Sequence, residues 1–443
     1  MRTPICDFAH QYAERDTMRL HMPGHKGVSF LGVEKWDLTE INGADNLYDP
    51  RGIILESEQY AGSLFGCDTF YSTEGSSQSI RAMLYLAVLY AKKQGRKPLI
   101  AAVRNVHKAF VDAASLLDFD VEWLHPKQQC SYTSVVLSAD EWEMAIQHMS
   151  DLPVALYVTS PDYLGNLTDI QALSMVCRRY GILLLVDNAH GAYLKFLTPS
   201  CHPIDLGADL CCDSAHKTLP VLTGGAYLHV GYGVDPFFKD HAKEALALFG
   251  STSPSYLILQ SLDMANRYLA ESYTNRLSQF VTRVQQVKNN LQKCGYLLRG
   301  EEPLKIVIDA KAYGYTGIAL SQLLAAQQIV CEFADRDFLV LMLTPEIVNL
   351  ERLEKTMCGI PRKAALSEPM PTYHRCERVL SVREATLSSR ETVEVAKSVG
   401  RVLASAVVGC PPAVPIVVRG ERVDNAAVQC FLYYGITHCD VVV

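Results

Sequence analysis

An α/β fold with a mostly parallel sheet, followed by a smaller α+β unit, is what this sequence predicts, and three observations predict it. From about Leu99 to Val230, short and continuously apolar runs alternate with stretches of helical periodicity. After Pro254 that alternation gives way to one long amphipathic stretch ending at Gly295. At 443 residues the chain also exceeds the usual size of one hydrophobic core, so at least two packed units are expected.

The elements follow in order. Leu99 to Val103, Val121 to Leu124, Val154 to Thr159, Ile182 to Val186, Leu210 to Cys212 and Ala226 to Val230 are mostly too brief and too apolar for surface helices, and read as strands. Between them Ala139 to Met149 and Asp169 to Tyr180 carry helical spacing, with Asp169 a natural cap for the second. Leu277, Phe280, Val281, Val284, Val287 and Leu291 then recur at three- and four-residue steps, which predicts a long helix. Farther on, Lys305 to Asp309, Val330 to Phe333 and Phe338 to Leu343 read as strands, Glu391 to Ala406 as a helix, and Gly409 to Pro415 as a Pro-rich turn. Ser367 to Tyr373, with Pro369 and Pro371, reads as an exposed loop. The expected division is an N-terminal arm over 1–44, a large domain over 45–296 that includes the connecting helix, and a small α+β domain over 297–443.

Composition excludes several classes. A formal charge of −7 offers no basic footprint for nucleic acid. The longest apolar runs fall far short of the roughly 20 residues needed to cross a bilayer, and charges interrupt the first 27 residues where a secretory signal would need an apolar core. None of the 14 cysteines is spaced Cys-x-x-Cys, so reduced thiols in a cytoplasmic protein are expected. His21 and His25 flank Pro23 and Gly24 in a turn and cannot share a helix face as zinc ligands do, so no metal is expected.

Two strand ends carry the chemistry. Lys217 sits just after the apolar run Leu210 to Cys212, in Asp213-Ser214-Ala215-His216-Lys217, and strand ends of open α/β sheets face ligand crevices. A lysine among apolar neighbours loses its proton more readily than one in water, and the neutral amine attacks an aldehyde. Thirty residues earlier Asp187 follows Ile182 to Val186; a buried carboxylate there can keep the pyridine nitrogen of pyridoxal 5′-phosphate (PLP) protonated, which carbanion chemistry on that cofactor requires. Taken singly, Lys217 also reads as a solvated loop lysine and Asp187 as a helix cap; together they fit a Schiff-base site. Ser76 and Ser77 open an apolar helical stretch and are candidates for the phosphate, with Glu74 an awkward charge beside them. His107, after the run Leu99 to Val103, is placed either to lie flat on the cofactor ring or to serve as a structural histidine.

Asp187-Asn188-Ala189-His190-Gly191, then Gly207-Ala208-Asp209, then Ser214-Ala215-His216-Lys217-Thr218-Leu219-Pro220 resemble the ornithine/lysine/arginine decarboxylase family of fold-type I PLP enzymes. His21 to Gly27, Asp45 to Pro50, Ser251 to Tyr256, and Gly409 to Pro415 with Gly420-Glu421 agree with it, in the family's order along nearly the whole chain. The resemblance implies that Lys217 bears PLP as a Schiff base, Asp187 pairs with the pyridine nitrogen, His107 stacks on one ring face and Ala189 packs on the other. Ser76, Ser77, Ser214 and His216 would hold the phosphate, His190 would lie beside the ring and touch substrate, and Thr252 and Ser253 would reach into the neighbouring subunit's site, which makes a homodimer the expected partner state. Glu74, Gly224 and Ala413 depart from the pattern, where a small or amide residue, a glutamine and a glycine are usual. The layout resembles the short biosynthetic type, without a response-regulator-like N-terminal domain. The implied reaction is decarboxylation of a basic L-amino acid, with arginine favoured and lysine or ornithine open. The rival expectations are an aminotransferase-like enzyme on the same fold and a catalytically idle homologue.

Overall fold

A computed structural model of the chain describes residues 1–126, 131–371, 374–405 and 413–443. They form two compact units, one from Met1–Lys97 with Ile170–Leu277 and the other from Pro98–Asp169 with Ser278–Val443. The large, mostly parallel sheet draws on strands β1 (Asp68–Ser72), β2 (Leu99–Val103), β3 (Asp120–Leu124), β4 (Ala155–Thr159), β5 (Leu183–Asp187), β6 (Leu210–Asp213) and β7 (Ala226–Val230).

The first unit holds the order β1-β7-β6-β5. β5 and β6 run parallel, with Val186 opposite Cys211 and Asp187 opposite Cys212. β7 is antiparallel to both β6 and β1. The apolar runs become strands because both sheet faces are covered: Leu184, Leu185, Val186, Leu210, Cys211 and Cys212 are fully buried. β1 escapes sequence reading because Asp68, Thr69 and Ser72 interrupt its apolar character; it forms by pairing Phe70 with Leu228 and Tyr71 with Tyr227. Helix Ser76–Lys93 packs on β6 and β7 and on helix Phe237–Leu248. The N-terminal helix Pro4–Glu14 is tied down by Asp263, whose Oδ2 accepts the Ile5 and Cys6 N–H groups at 3.0 Å each, an anion at a helix N-terminus.

The second unit holds the order β4-β2-β3, all parallel. It also contains β8 (Leu297–Arg299), β9 (Lys305–Asp309), β10 (Phe333–Ala334) and β11 (Phe338–Met342), antiparallel in the order β10-β11-β9-β8. The predicted amphipathic stretch lies in helix Thr274–Lys293, with Leu277, Phe280, Val284, Val287 and Leu291 buried. Two expectations need correction. The strand read over Val330 to Phe333 shrinks to Phe333–Ala334, because Val330 is 89% exposed and so gains nothing from pairing. The helix read over Glu391 to Ala406 is instead β12 (Arg390–Glu394), paired antiparallel with β13 (His438–Val442), then a turn at Val395–Lys397 and bridges at Val402 and Leu403. β-branched Thr392 and Val393 suit the pleated surface, and Gly400 at φ +79° stops any helix, so long-range pairing wins over local spacing. Residues 361–369 form the exposed loop expected near Ser367; Thr372 and Tyr373 lie outside the described residues, as does 409–412 of the Pro-rich turn.

One buried ion pair organises this unit. Arg104, at the end of β2, is 1% exposed and meets Glu421 through Nη1–Oε1 at 2.5 Å and Nη2–Oε2 at 3.2 Å. Glu421 Oε2 also accepts the Val418 N–H, and the Ala413 carbonyl accepts the Lys108 N–H at 2.9 Å. The C-terminal signature is thereby clamped to the segment that carries His107. Removing one partner strands a desolvated charge, so Glu421→Ala should cost about 3–5 kcal/mol, read from urea unfolding. Ala413 holds φ +61°, a left-handed conformation that costs an L-residue about 1–2 kcal/mol; Ala413→Gly should therefore raise the urea midpoint.

Candidate active site

The parallel register of β5 and β6 sets their carboxyl ends side by side, and a single helical turn, Ala215–Thr218, follows β6 at once. That turn leaves Lys217 half-buried, with Nζ 3.1 Å from His190 Nε2. His190 comes from the loop after β5 and is itself buried. Asp187, the last residue of β5, is 2% exposed; its Oδ1 accepts the Ala189 N–H at 3.1 Å and faces Cys212 Sγ at 3.7 Å. A desolvated carboxylate and a lysine amine thus stand on adjacent strand ends. A carboxylate so placed suits a protonated pyridine nitrogen.

Two of the phosphate candidates, Ser76 and Ser214, meet. Helix Ser76–Lys93 begins after Gly75, which at φ +71° turns the chain and leaves the helix N-terminus without a side-chain cap. Ser214 Oγ donates to Ser76 Oγ at 2.7 Å, joining the end of β6 to that helix start. His216 meets the Gly225 carbonyl through its backbone N–H and its Nδ1, at 3.2 and 3.1 Å. Burial, and then the charge of neighbouring Lys217, hold the His216 imidazole below its ordinary pKa. Glu74 is exposed rather than turned into the cradle. Two hydroxyls beside a helix N-terminus that has no side-chain cap form a donor set that fits a phosphate dianion.

Three other expected residues have settings of their own. Thr252 and Ser253 are exposed. His107 belongs to the second unit, where it caps helix Lys108–Leu117 by accepting the Ala109 N–H at Nδ1. Sequence reading passed over Asp213, His202, His229 and Asn188, which make a buried network beneath the strand ends. Asp213 is fully buried, accepting from Asn188 Nδ2 at 2.7 Å, His202 Nε2 at 3.0 Å and His229 Nε2 at 3.2 Å. Burial alone would raise its carboxyl, yet the two histidines hold it well below the usual range. The available signal was an acidic residue closing an otherwise apolar run.

The family model for the Orn/Lys/Arg decarboxylase major domain matches residues 3–310, and that for the C-terminal domain matches residues 368–437. The chain belongs to the Orn/Lys/Arg decarboxylase family. It is therefore a PLP-dependent amino-acid decarboxylase by class. An uncharacterized Bacillus subtilis protein, YaaO, is 29% identical, over 97% of this chain and 93% of its own. Arginine decarboxylase of Bacillus subtilis is 27% identical over 96% of this chain and 91% of its own, and that of Halalkalibacterium halodurans 28% over 96% and 92%. The fold matches the constitutive lysine decarboxylase of Escherichia coli with a TM-score of 0.77 at 17% identity, covering 100% of this chain and 82% of the other.

Within the decarboxylase pattern, Gly224 has a local reason to be glycine. It holds φ +100°, its carbonyl accepts the Gly75 N–H at 2.7 Å, and a Cβ there would lie 2.9 Å from the Thr73 carbonyl oxygen. Gly224→Gln, the residue that the family resemblance leads one to expect here, should destabilise the protein by about 1–3 kcal/mol through backbone strain and weaken PLP uptake, both readable by thermal melting with and without the cofactor.

Proposed function

We propose that this enzyme decarboxylates a basic L-amino acid, arginine ahead of lysine and ornithine, to the corresponding amine and carbon dioxide, with PLP held at Lys217. The observation that carries the reading is Lys217 Nζ standing 3.1 Å from His190 Nε2, on the strand end next to buried Asp187. When bound, the cofactor supplies an electron sink for the bond that breaks at Cα.

The chain's own residues supply the rest. Lys217 attaches the cofactor through its amine, and His190 Nε2 is placed to take or return that amine's proton. Asp187 would pair with the pyridine nitrogen and keep it protonated. Ser76, Ser77, Ser214 and His216 would hold the phosphate, and Ala189 and His107 are the residues the family resemblance offers for the ring. His190 would also touch the substrate. The preference for arginine rests on relatives that bear that name and match along nearly the full length of both chains.

A homodimer completes the site in this reading, with Thr252 and Ser253 reaching the partner copy. The N-terminal arm supports it: Met18, Leu20, Met22, Phe30 and Leu31 are 64 to 87% exposed, an apolar surface that a soluble chain covers with a partner. Among the described residues no helix is long and apolar enough to cross a membrane, and most of the cysteines are buried free thiols, in keeping with a cytoplasmic setting.

The test is carbon dioxide release from arginine, lysine and ornithine by the PLP-loaded protein without any added keto acid. Release is expected from one of the three, fastest from arginine, and Lys217→Ala should lower it by at least about 10³-fold. Turnover that requires a keto acid would favour an aminotransferase; uptake of PLP without turnover of any amino acid would favour the idle homologue.

A further inference from the structure

Asp187 and Lys217 lie on two segments, 187–191 from the end of β5 and 214–217 after β6, which must keep one fixed relation if lysine and carboxylate are to serve the same cofactor. Backbone pairing stops at the strand ends: Asp187 and Cys212 are the last partners in register. Beyond that point one side-chain bond and one backbone bond make the connection. Asn188 Nδ2 donates to Asp213 Oδ1 at 2.7 Å, and the Asn188 N–H donates to the Cys212 carbonyl at 3.0 Å.

The contact is built on both sides. Around Asn188, the Gly191 N–H donates to the Asn188 carbonyl at 2.7 Å, and a Cβ on Gly191 would fall 1.9 Å from Asn188 Oδ1. Glycine is required there for space alone, so the amide is wedged in one place. Around Asp213, Oδ2 accepts from His202 Nε2 and His229 Nε2, while Oδ1 also faces Cys211 Sγ at 3.6 Å. His202 Nδ1 accepts the Ile204 N–H, which fixes the proton on Nε2 and makes that nitrogen the donor. His229 is held from behind by Thr69 Oγ1 at 3.0 Å and Cys67 Sγ at 3.5 Å. All these groups are fully or nearly fully buried, so the carboxylate has no water to replace a missing donor.

We propose that Asp213 is a positioning residue: through Asn188 it locks the loop bearing Asp187, Ala189 and His190 to the segment bearing Ser214 and Lys217, and so sets the geometry in which cofactor and lysine meet. The proposal rests on the PLP reading above. His202, Cys211 and Asp213 also stand close enough together to ligate a metal ion, but each Asp213 oxygen already receives hydrogen-bond donors.

The experiment compares wild type, Asp213→Asn, Asn188→Ala and the double variant. It reads the dissociation constant of PLP titrated into the apoprotein, apoprotein melting, and kcat and KM of the holoenzyme. A displacement on the order of 1 Å at the reacting groups costs up to about 100-fold. Each single variant is therefore expected to weaken PLP binding and lower kcat by about 10–100-fold, with KM changed less than about 3-fold and the apoprotein still melting cooperatively. Because both substitutions remove one contact, the double variant should be no worse than the poorer single one within about 3-fold. If Asp213→Asn fails to fold, Asn188→Ala, which leaves the carboxylate and both histidines in place, decides alone. Single variants with wild-type PLP affinity and kcat, or effects that multiply in the double variant, would overturn the proposal. So would one zinc ion per chain in the purified protein. A wild type that takes up no PLP would instead overturn the function reading, and this inference with it.

Discussion

The chemistry of this chain depends on the parallel pairing of β5 with β6. Parallel strands end on the same side, so the residue that closes one apolar run and the residues that follow the other arrive at a common edge without any loop having to carry them there. Asp187 opposite Cys212 is the last rung of that ladder. The lysine and serine of the next turn inherit their positions from it. Had β6 run antiparallel to β5, the same residues would stand at opposite ends of the sheet.

Polar groups in that edge are costly unless each is answered, and the chain answers them in layers. The serine hydroxyls pair across from Ser214 to Ser76, at a helix start that has no side-chain cap. One layer down, Asp213 gathers two histidines and an amide. In the second unit the same economy recurs where Arg104 and Glu421 neutralise each other beneath the His107 segment. Each device sets a buried charge in contact with, or close in chain to, a residue proposed to hold the cofactor.

What could be read from sequence follows from what each element depends on. Apolar runs buried on both faces have one local solution, and β2 to β7 emerged within about a residue of their limits. β1 did not, because its polar residues are satisfied only by the strand it pairs with. Glu391 to Ala406 misled for the same reason, since its fate is set by β13 some fifty residues away. Lys217 and Asp187 were legible as residues of a type that chemistry needs at strand ends. Asn188 and Asp213 were not, because an amide and a carboxylate become a lock only when two distant loops meet. The acidic group that would receive a substrate's distal cation left no sequence signature either.

The most direct measurement is borohydride reduction of the PLP-loaded protein followed by peptide mapping of the fixed label. The account predicts a yellow protein that bleaches on reduction, with the pyridoxyl mass on the peptide containing Lys217 and nowhere else. A label on any other lysine, or a protein that binds PLP without a bond that borohydride can fix, would contradict it.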